Sequence, residues 1–345
     1  GPNTHYQRRE SMLKPLAYAG VDVSQRVLDA AVRAPSGAER AGQFANTAAG
    51  HRQLIRWLTK GGQPVRVVLE ATGVYSLDLA VALHAAARTT VMVVNPRAAR
   101  KFAEARQLRA RTDATMAVTL REYAARMEFV AWAPPAVAVR DLRALARRLA
   151  TLTHERAREQ NRAHAAAASA ATPAVVVNDL AVNMRHLQRR HATLERQALA
   201  LIARDPALER AYRHLLSVCG IAATSAIQLL GELLVLPADM TVRQWVAHSG
   251  LDVRHVTSGT SVHQIPRISK RGNAHLRRVL YMPALVAVQH DPHVRAFYAQ
   301  LLARGKTPLQ ALVAVMRKLL HAIYGMLKTD TDFDGTKFRR LPQAA

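Results

Sequence analysis

Leu16-Ala17-Tyr18-Ala19-Gly20-Val21-Asp22-Val23-Ser24-Gln25-Arg26-Val27-Leu28-Asp29-Ala30-Ala31-Val32-Arg33-Ala34 is the stretch that decides the fold. Its two apolar runs, Leu16 to Val23 and Val27 to Ala34, have the length of strands, and Ser24-Gln25 between them suits a tight hairpin connection. Asp22 emerges near the end of the first run. Leaving that charge unpaired on a buried strand costs on the order of several kcal/mol, so the position calls for a partner.

Outward from this hairpin, Arg40 to Ala45 supplies a third strand. Thr47 is placed to cap a helix running to about Lys60, with Leu54, Ile55 and Leu58 on one face and Gly61-Gly62 ending it. Pro64 to Glu70 returns as a strand, Ser76 to Ala87 as a helix and Thr90 to Val94 as a strand. Three strands, helix, strand, helix, strand is the order of a mixed sheet covered by helices on both faces. A helix rich in Ala and Arg follows Asp113, and Pro134-Pro135, after Val130-Ala131-Trp132, marks a domain boundary.

Between Val137 and Tyr212 the leucines Leu142, Leu145, Leu149 and Leu152, then Leu180, Met184, Leu187 and Leu194, recur mostly at steps of three and four. Two long antiparallel helices broken near Pro173 fit this spacing, as an arm that either meets a second protomer or packs on its own chain. Leu215 to Ala345 reads as helical around one long loop, Asp252 to Gly272. The expected fold class is therefore α/β plus all-α. Its parts are a disordered leader or tag remnant (1–14), an α/β domain (15–132), a helical arm (136–213) and a mainly helical C-terminal domain (214–345).

The 345 residues hold 49 Lys and Arg against 24 Asp and Glu, a net charge of +25. Such a chain repels itself unless it meets a polyanion, and nucleic acid is the leading candidate. No apolar run of about 18 residues is present and the charge is not gathered on one amphipathic anchor, which argues against a membrane. The single cysteine, Cys219, excludes an intrachain disulfide and a cysteine zinc cluster, and fits a reducing cytoplasm. Aromatics are only 5% of residues, too few for a row of base-stacking platforms, so contact by backbone charge and duplex shape is expected.

Asp22, Glu70 at the end of Val65 to Leu69, and Asp113 in Arg111-Thr112-Asp113 at a helix start are three acids from separate elements that a sheet edge can gather. Carboxylates so gathered bind hard divalent cations, which serve in-line displacement at phosphorus. Each has an ordinary reading too: a turn start for Asp22, a core arginine partner for Glu70, a helix N-terminus for Asp113.

Thr257-Ser258-Gly259-Thr260-Ser261 sets four hydroxyls around a glycine, flanked by His255 and His263. A serine there is either a nucleophile awaiting activation or part of a polar turn. Downstream, Arg267, Ser269, Lys270, Arg271, Arg277 and Arg278 lead into a helix around Asn273 to Leu285, as phosphate-binding donors or a solvated basic face. Leu215 to Leu230 reads as helix, tight turn and helix, a unit whose backbone amides often hold a DNA phosphate.

Taken in order, Gly20-Val21-Asp22-Val23-Ser24, Phe44-Ala45-Asn46-Thr47 with Gly50-His51, Glu70-Ala71-Thr72-Gly73-Val74-Tyr75, Asn95-Pro96 and Arg111-Thr112-Asp113 form an N-terminal set of motifs. Ser258-Gly259-Thr260-Ser261-Val262, Arg267-Ile268-Ser269-Lys270-Arg271-Gly272, Leu276-Arg277-Arg278, Leu280-Tyr281-Met282-Pro283-Ala284 and Met316-Arg317-Lys318-Leu319 form a C-terminal set. Together they resemble the DEDD-type transposases of bacterial insertion sequences, the insertion sequence 110 family, over nearly the whole chain.

The resemblance implies a RuvC-like domain of ribonuclease H fold, a coiled-coil arm and a transposase domain carrying a nucleophilic serine, here Ser258, which forms a phosphoserine link to DNA. It further implies Mg2+ or Mn2+ at the acids, donor and target double-stranded DNA, a structured bridge RNA as guide, and a dimer or tetramer in the bacterial cytoplasm, nucleoid-associated when bound to DNA. Asp22, Glu70 and Asp113 match the first three acids. The fourth position holds Met116, whose thioether is no ligand for a hard cation. Three acids with extra water, substitution by an acid such as Glu122, or impaired cleavage would each follow. Ala222 stands where the helical hairpin usually has a second glycine. A metal-only nuclease or junction resolvase, and an RNA-guided DNA-binding protein that no longer cuts, are the alternatives.

Overall fold

The computed structural model describes residues 16–71, 73–106, 112–254, 257–258, 262–263, 267–339 and 341. The expected leader (1–14) lies outside them, as do Thr72, Arg111, His255 and Gly259-Thr260-Ser261 among the motif residues. The chain divides into two compact units between Pro134 and Pro135.

The first unit opens with β1 (Ala17–Val23), β2 (Val27–Arg33) and β3 (Glu39–Ala45) as an antiparallel meander. Ser24 closes the first turn: its hydroxyl donates to Val27 O at 2.8 Å and accepts from Val27 N at 3.1 Å. Then come α1 (Ala48–Leu58), β4 (Val65–Glu70), α2 (Leu77–Ala85), β5 (Thr89–Val94), α3 (Pro96–Ala105) and α4 (Asp113–Arg126). The sheet order is β3-β2-β1-β4-β5, with β4 parallel to both β1 and β5. The mixed sheet expected from the order of apolar runs is present.

Strand alternation separates two cores. Ala17, Ala19, Val21 and Val23 of β1 join Val65, Val67 and Leu69 of β4 under Leu54 and Leu58 of α1 and Leu79 and Leu83 of α2. On the other face Val68 and Val94 meet Ala99 of α3 with Leu120 and Ala124 of α4. The sequence reading lacked α3. Its signals were Asn95, whose side chain accepts from Arg97 N at 2.8 Å, and Pro96 at the first helical position. Its buried face consists of Ala99 and Ala103, too small to register as an apolar stripe.

Gly20 lets α4 lie close on β1. A Cβ built there would stand 2.2 Å from both Ala117 O and Arg121 N of the helix. Those are backbone atoms and cannot swing aside, so Gly20→Ala is expected to cost roughly 3 kcal/mol, the upper range of overpacking. Chemical denaturation followed on the first unit checks it, and an unchanged midpoint would contradict this packing.

The second unit comprises α5 (Val137–Ala167), α6 (Ala174–Ala203), α7 (Pro206–Leu216), α8 (Ala223–Leu233), α9 (Val242–Ser249), α10 (Ala274–His290), α11 (Pro292–Ala303), α12 (Pro308–Thr329) and α13 (Gly335–Phe338). Leu142, Ala146 and Leu149 of α5 and Ala198 and Ile202 of α6 share one core with Leu215, Leu230, Leu280 and Leu319 from the helices that follow. Val175, Val176, Val177 and Val182 of α6 stay exposed. Gly220, at φ +93°, makes the turn between α7 and α8 and passes so near Pro283 O that a Cβ would lie 2.6 Å from it.

The stretch expected as one long loop, 252–272, instead contains two short antiparallel ladders. One is β6 (Val253–Arg254) with β9 (Arg267–Ile268), the other β7 (Thr257–Ser258) with β8 (Val262–His263). Strands of two residues carry no readable period, though each has a β-branched residue in its pair. Among the described residues no helix is long and apolar enough to cross a membrane.

Candidate functional site

Asp22 lies on the face of β1 opposite Ala19 and Val21, the face that Gly20 opens to α4. The parallel register pairs Val21 with Leu69 and so sets Glu70 beside Asp22, while the antiparallel register places Asp29 of β2 opposite it. Asp113 begins α4 behind the cap Thr112, whose hydroxyl accepts from Thr115 N in a reciprocal capping box. Burial, then the charges of Asp113, Glu70 and Asp29, push Asp22 up to about 6. Burial also raises Glu70, with Arg100 pulling the other way. The three predicted acids thus share one electric field. Among the described residues, no three His, Cys, Asp or Glu side chains stand close enough together to hold a metal ion.

The surrounding loops are tied by a motif that the sequence displayed without a role. Asn46 Nδ2 donates to Ser24 O at 2.8 Å and Tyr75 O at 3.1 Å, and Asn46 Oδ1 lies 2.8 Å from His51 Nε2. Burial lowers the His51 pKa, which favours a neutral ring able to donate from Nε2. One amide therefore fixes the turn after β1 against the loop after β4, each of which follows an acid-bearing strand.

Met116 lies one turn after Asp113 on α4, half-buried. Glu122 is already engaged: it is 1% exposed, pairs with Arg33, and accepts from Arg121 and Arg126 at 3.0 Å each. Burial works to raise its pKa, but the hydrogen bonds from Arg121 and Arg126 and the charge of Arg33 outweigh that and hold it below the usual range. Glu122→Ala is expected to destabilise the first unit by about 3 kcal/mol, the lower end for breaking a buried pair, since Glu39 still meets Arg121 at 3.0 Å. Thermal denaturation checks this, and a loss under about 1 kcal/mol would place the pair among weak surface bridges.

Ser258 pairs with Val262 in the β7–β8 ladder. Of the basic stretch, Arg267, Lys270, Arg271 and Arg278 are exposed. Arg277 donates to Ser249 O at 2.8 Å, and burial lowers its pKa. Ser269 donates to Asp252 and accepts from Arg271 N. Lys270 sits at φ +52°, an uncommon conformation for a residue with a Cβ. Asn273 caps α10 through His275 N and Leu276 N and donates to Glu232 at 2.6 Å.

Glu232 escaped the sequence reading. It is 2% exposed and takes two hydrogen bonds from Arg147, at 2.8 and 3.2 Å. Burial opposes its charge, yet Arg147 and Asn273 keep its pKa low. The available signal was an acid inside the apolar run Leu229 to Leu236.

A mixed sheet with acids at the ends of its two central strands, joined in one strongly basic chain to a helical unit, defines a class: proteins that act on nucleic acid. Residues 19–171 match a family model described as a transposase, of the DEDD type found in IS110. Residues 212–299 match one described as transposase of the IS116/IS110/IS902 family. The pilin gene-inverting protein of Moraxella bovis is 27% identical over 324 residues, 92% of this chain and 97% of its own. Its counterpart from Moraxella lacunata is 27% identical over 328 residues, with the same coverage. The insertion element IS110 uncharacterized 43.6 kDa protein of Streptomyces coelicolor is 28% identical over 160 residues, 46% of this chain and 38% of that protein. The chain belongs to the IS110 family of transposases and is a DNA transposase or recombinase.

Proposed function

We propose that this transposase excises and inserts DNA by serine-mediated strand exchange, with its first unit acting as a RuvC-like domain of ribonuclease H fold. The observation that carries the reading is the sheet order β3-β2-β1-β4-β5 with Asp22 and Glu70 side by side at the ends of β1 and β4. The relatives named for inverting a pilin gene support exchange between DNA sites.

The acids fit a divalent cation by their chemistry: hard oxygen donors, of which Asp22 is raised first by burial and then by the charges of its neighbours, gain most from a neutralising charge. Asp22, Glu70 and Asp113 would hold Mg2+ or Mn2+, which when bound supplies charge stabilisation at phosphorus. Met116 leaves a ligand position that water can take. Ser258 is the nucleophile whose Oγ bonds to a DNA phosphorus as the strand is released, and Arg267, Lys270, Arg271 and Arg278 neutralise phosphates around it, with Ser269 and Arg277 shaping the loop. The guide is a structured bridge RNA, and the chain works as a homodimer or tetramer.

Strand exchange by the unmodified chain, with the RNA that copurifies with it, is to be compared with Ser258→Ala and Asp22→Asn. The reading expects both variants to fail. Cutting retained in Ser258→Ala alone would make water the nucleophile and the protein a metal-dependent nuclease.

A further inference from the structure

Glu232 is the centre of a buried polar cluster that the roles above leave without a purpose. From α5, Arg147 donates to it twice, at 2.8 and 3.2 Å, and Arg143 lies 3.6 Å away. From the start of α10, Asn273 Nδ2 donates to its Oε2 at 2.6 Å. Beside it, Arg143 Nε and His248 Nε2 are buried with no hydrogen-bond partner among the described residues. Replacing a buried ion pair by apolar side chains is often neutral or stabilising, and each buried polar group left unpaired costs about 1–3 kcal/mol more. Leu142 and Ala146 of α5 and Leu229 and Leu230 of α8 already supply apolar core, so packing alone does not call for a carboxylate at 232.

What the cluster holds is the stem of the stretch that carries Ser258. Asn273 Oδ1 accepts from His275 N and Leu276 N at the start of α10, and Asn273 N donates to His248 O in the last turn of α9 at 2.7 Å. Because α9 ends at Ser249 and α10 begins at Ala274, this one residue ties together the two ends of the segment between them. The fit is tight: a Cβ on Gly272 would lie 2.1 Å from His248 O. Further along, Lys270 N donates to Gly250 O at 3.1 Å, Ser269 N to Asp252 O at 2.8 Å, and the β6–β9 ladder continues the stem. With both ends of its amide engaged, Asn273 passes any shift of Glu232 on to the stem.

We propose that Arg147, Glu232 and Asn273 form a positioning relay that fixes the stem of the 252–272 stretch against α5, so that Ser258 meets the DNA phosphorus in one orientation. The inference rests on the reading of Ser258 as the nucleophile. The three residues act through the backbone of the stem and not on the reacting atoms. A reacting group displaced by about 1 Å loses on the order of 10²-fold in rate, whereas DNA held mainly by charge is little affected by such a shift.

The test uses the full chain with the RNA that copurifies with it and labelled DNA, and follows formation of the covalent protein–DNA adduct at saturating DNA and at a temperature where every variant is folded. Asn273→Ser keeps a good cap for α10 but is too short to reach Glu232. It is expected to slow the adduct about 10- to 100-fold while DNA affinity stays unchanged. Asn273→Asp also caps the helix but sets two carboxylates against each other, and is expected to be at least as slow. Adding Glu232→Gln to it restores the hydrogen bond with donor and acceptor reversed, and most of the lost rate should return. Should Asn273→Asp fail to fold, Arg147→Gln with Asn273→Ser gives a double-mutant cycle, in which one relay predicts a combined loss no larger than the greater single loss. An adduct rate unchanged in Asn273→Ser, no recovery in the reversed pair, or fully additive losses in the cycle would overturn the relay and leave Ser258 in place. No adduct from the unmodified chain would overturn the reading of Ser258, and the relay with it.

Discussion

Ser258→Ala is expected to abolish the covalent protein–DNA adduct and to lower strand exchange by at least about 10³-fold, since removing a nucleophile removes the step and not merely part of its rate. Binding of DNA and RNA should be unchanged, because the substitution deletes one hydroxyl and no charge. The backbone should tolerate it: Ser258 sits in a two-residue ladder opposite Val262, where alanine is allowed. Ser261→Ala, in the same hydroxyl-rich stretch, is the control and should form adduct normally. Denatured protein–DNA products separated by gel, with labelled DNA, give the readout. Adduct formed by Ser258→Ala at the normal level would remove Ser258 from the mechanism, and loss in both variants would mean that the stretch, not the hydroxyl, is what matters.

How far the site could be read in advance differs element by element. β1, β2 and β4 were legible because Val, Leu and Ala recur along them at strand length between polar turns, whereas the shared face of Asp22 and Glu70 comes from the parallel register of β1 and β4. That Asp113 could join them was read from its place at a helix start and from the motifs, but the physical cause, α4 resting against Gly20 through backbone atoms, was not legible. The helix α3 was hidden by small buried residues, and the 252–272 ladders by strands too short to show a period. Glu232 went unnoticed because its partners, Arg147 and Asn273, are 85 and 41 positions away in the chain. Motifs revealed which residues cluster. Only the fold shows Asn46 bridging two loops and Glu122 taken up by arginines.

Asp22→Asn should separate function from fold more sharply than any other change in the first unit. The amide keeps the shape of the side chain and removes its charge, so divalent-dependent strand cleavage is expected to fall by about 10³-fold or more, as for loss of a charge-stabilising group at a reacting phosphate. Stability should move the other way. Asp22 titrates near 6 in the folded chain against an ordinary 3.8, so its ionised form weakens the fold, a penalty that sets in as pH rises through that interval and is complete above it. The variant should therefore melt at a higher temperature than the natural chain at pH 8, and the gap should close by pH 4, where both side chains are neutral. A carboxylate kept at a cost to the fold is what a functional acid looks like, whereas one kept to bind a core arginine would behave in reverse. Calorimetric titration with Mn2+ adds an independent measure and should lose most of its binding heat. A variant that cuts normally, or that melts lower at pH 8, would return Asp22 to a purely structural place in the sheet.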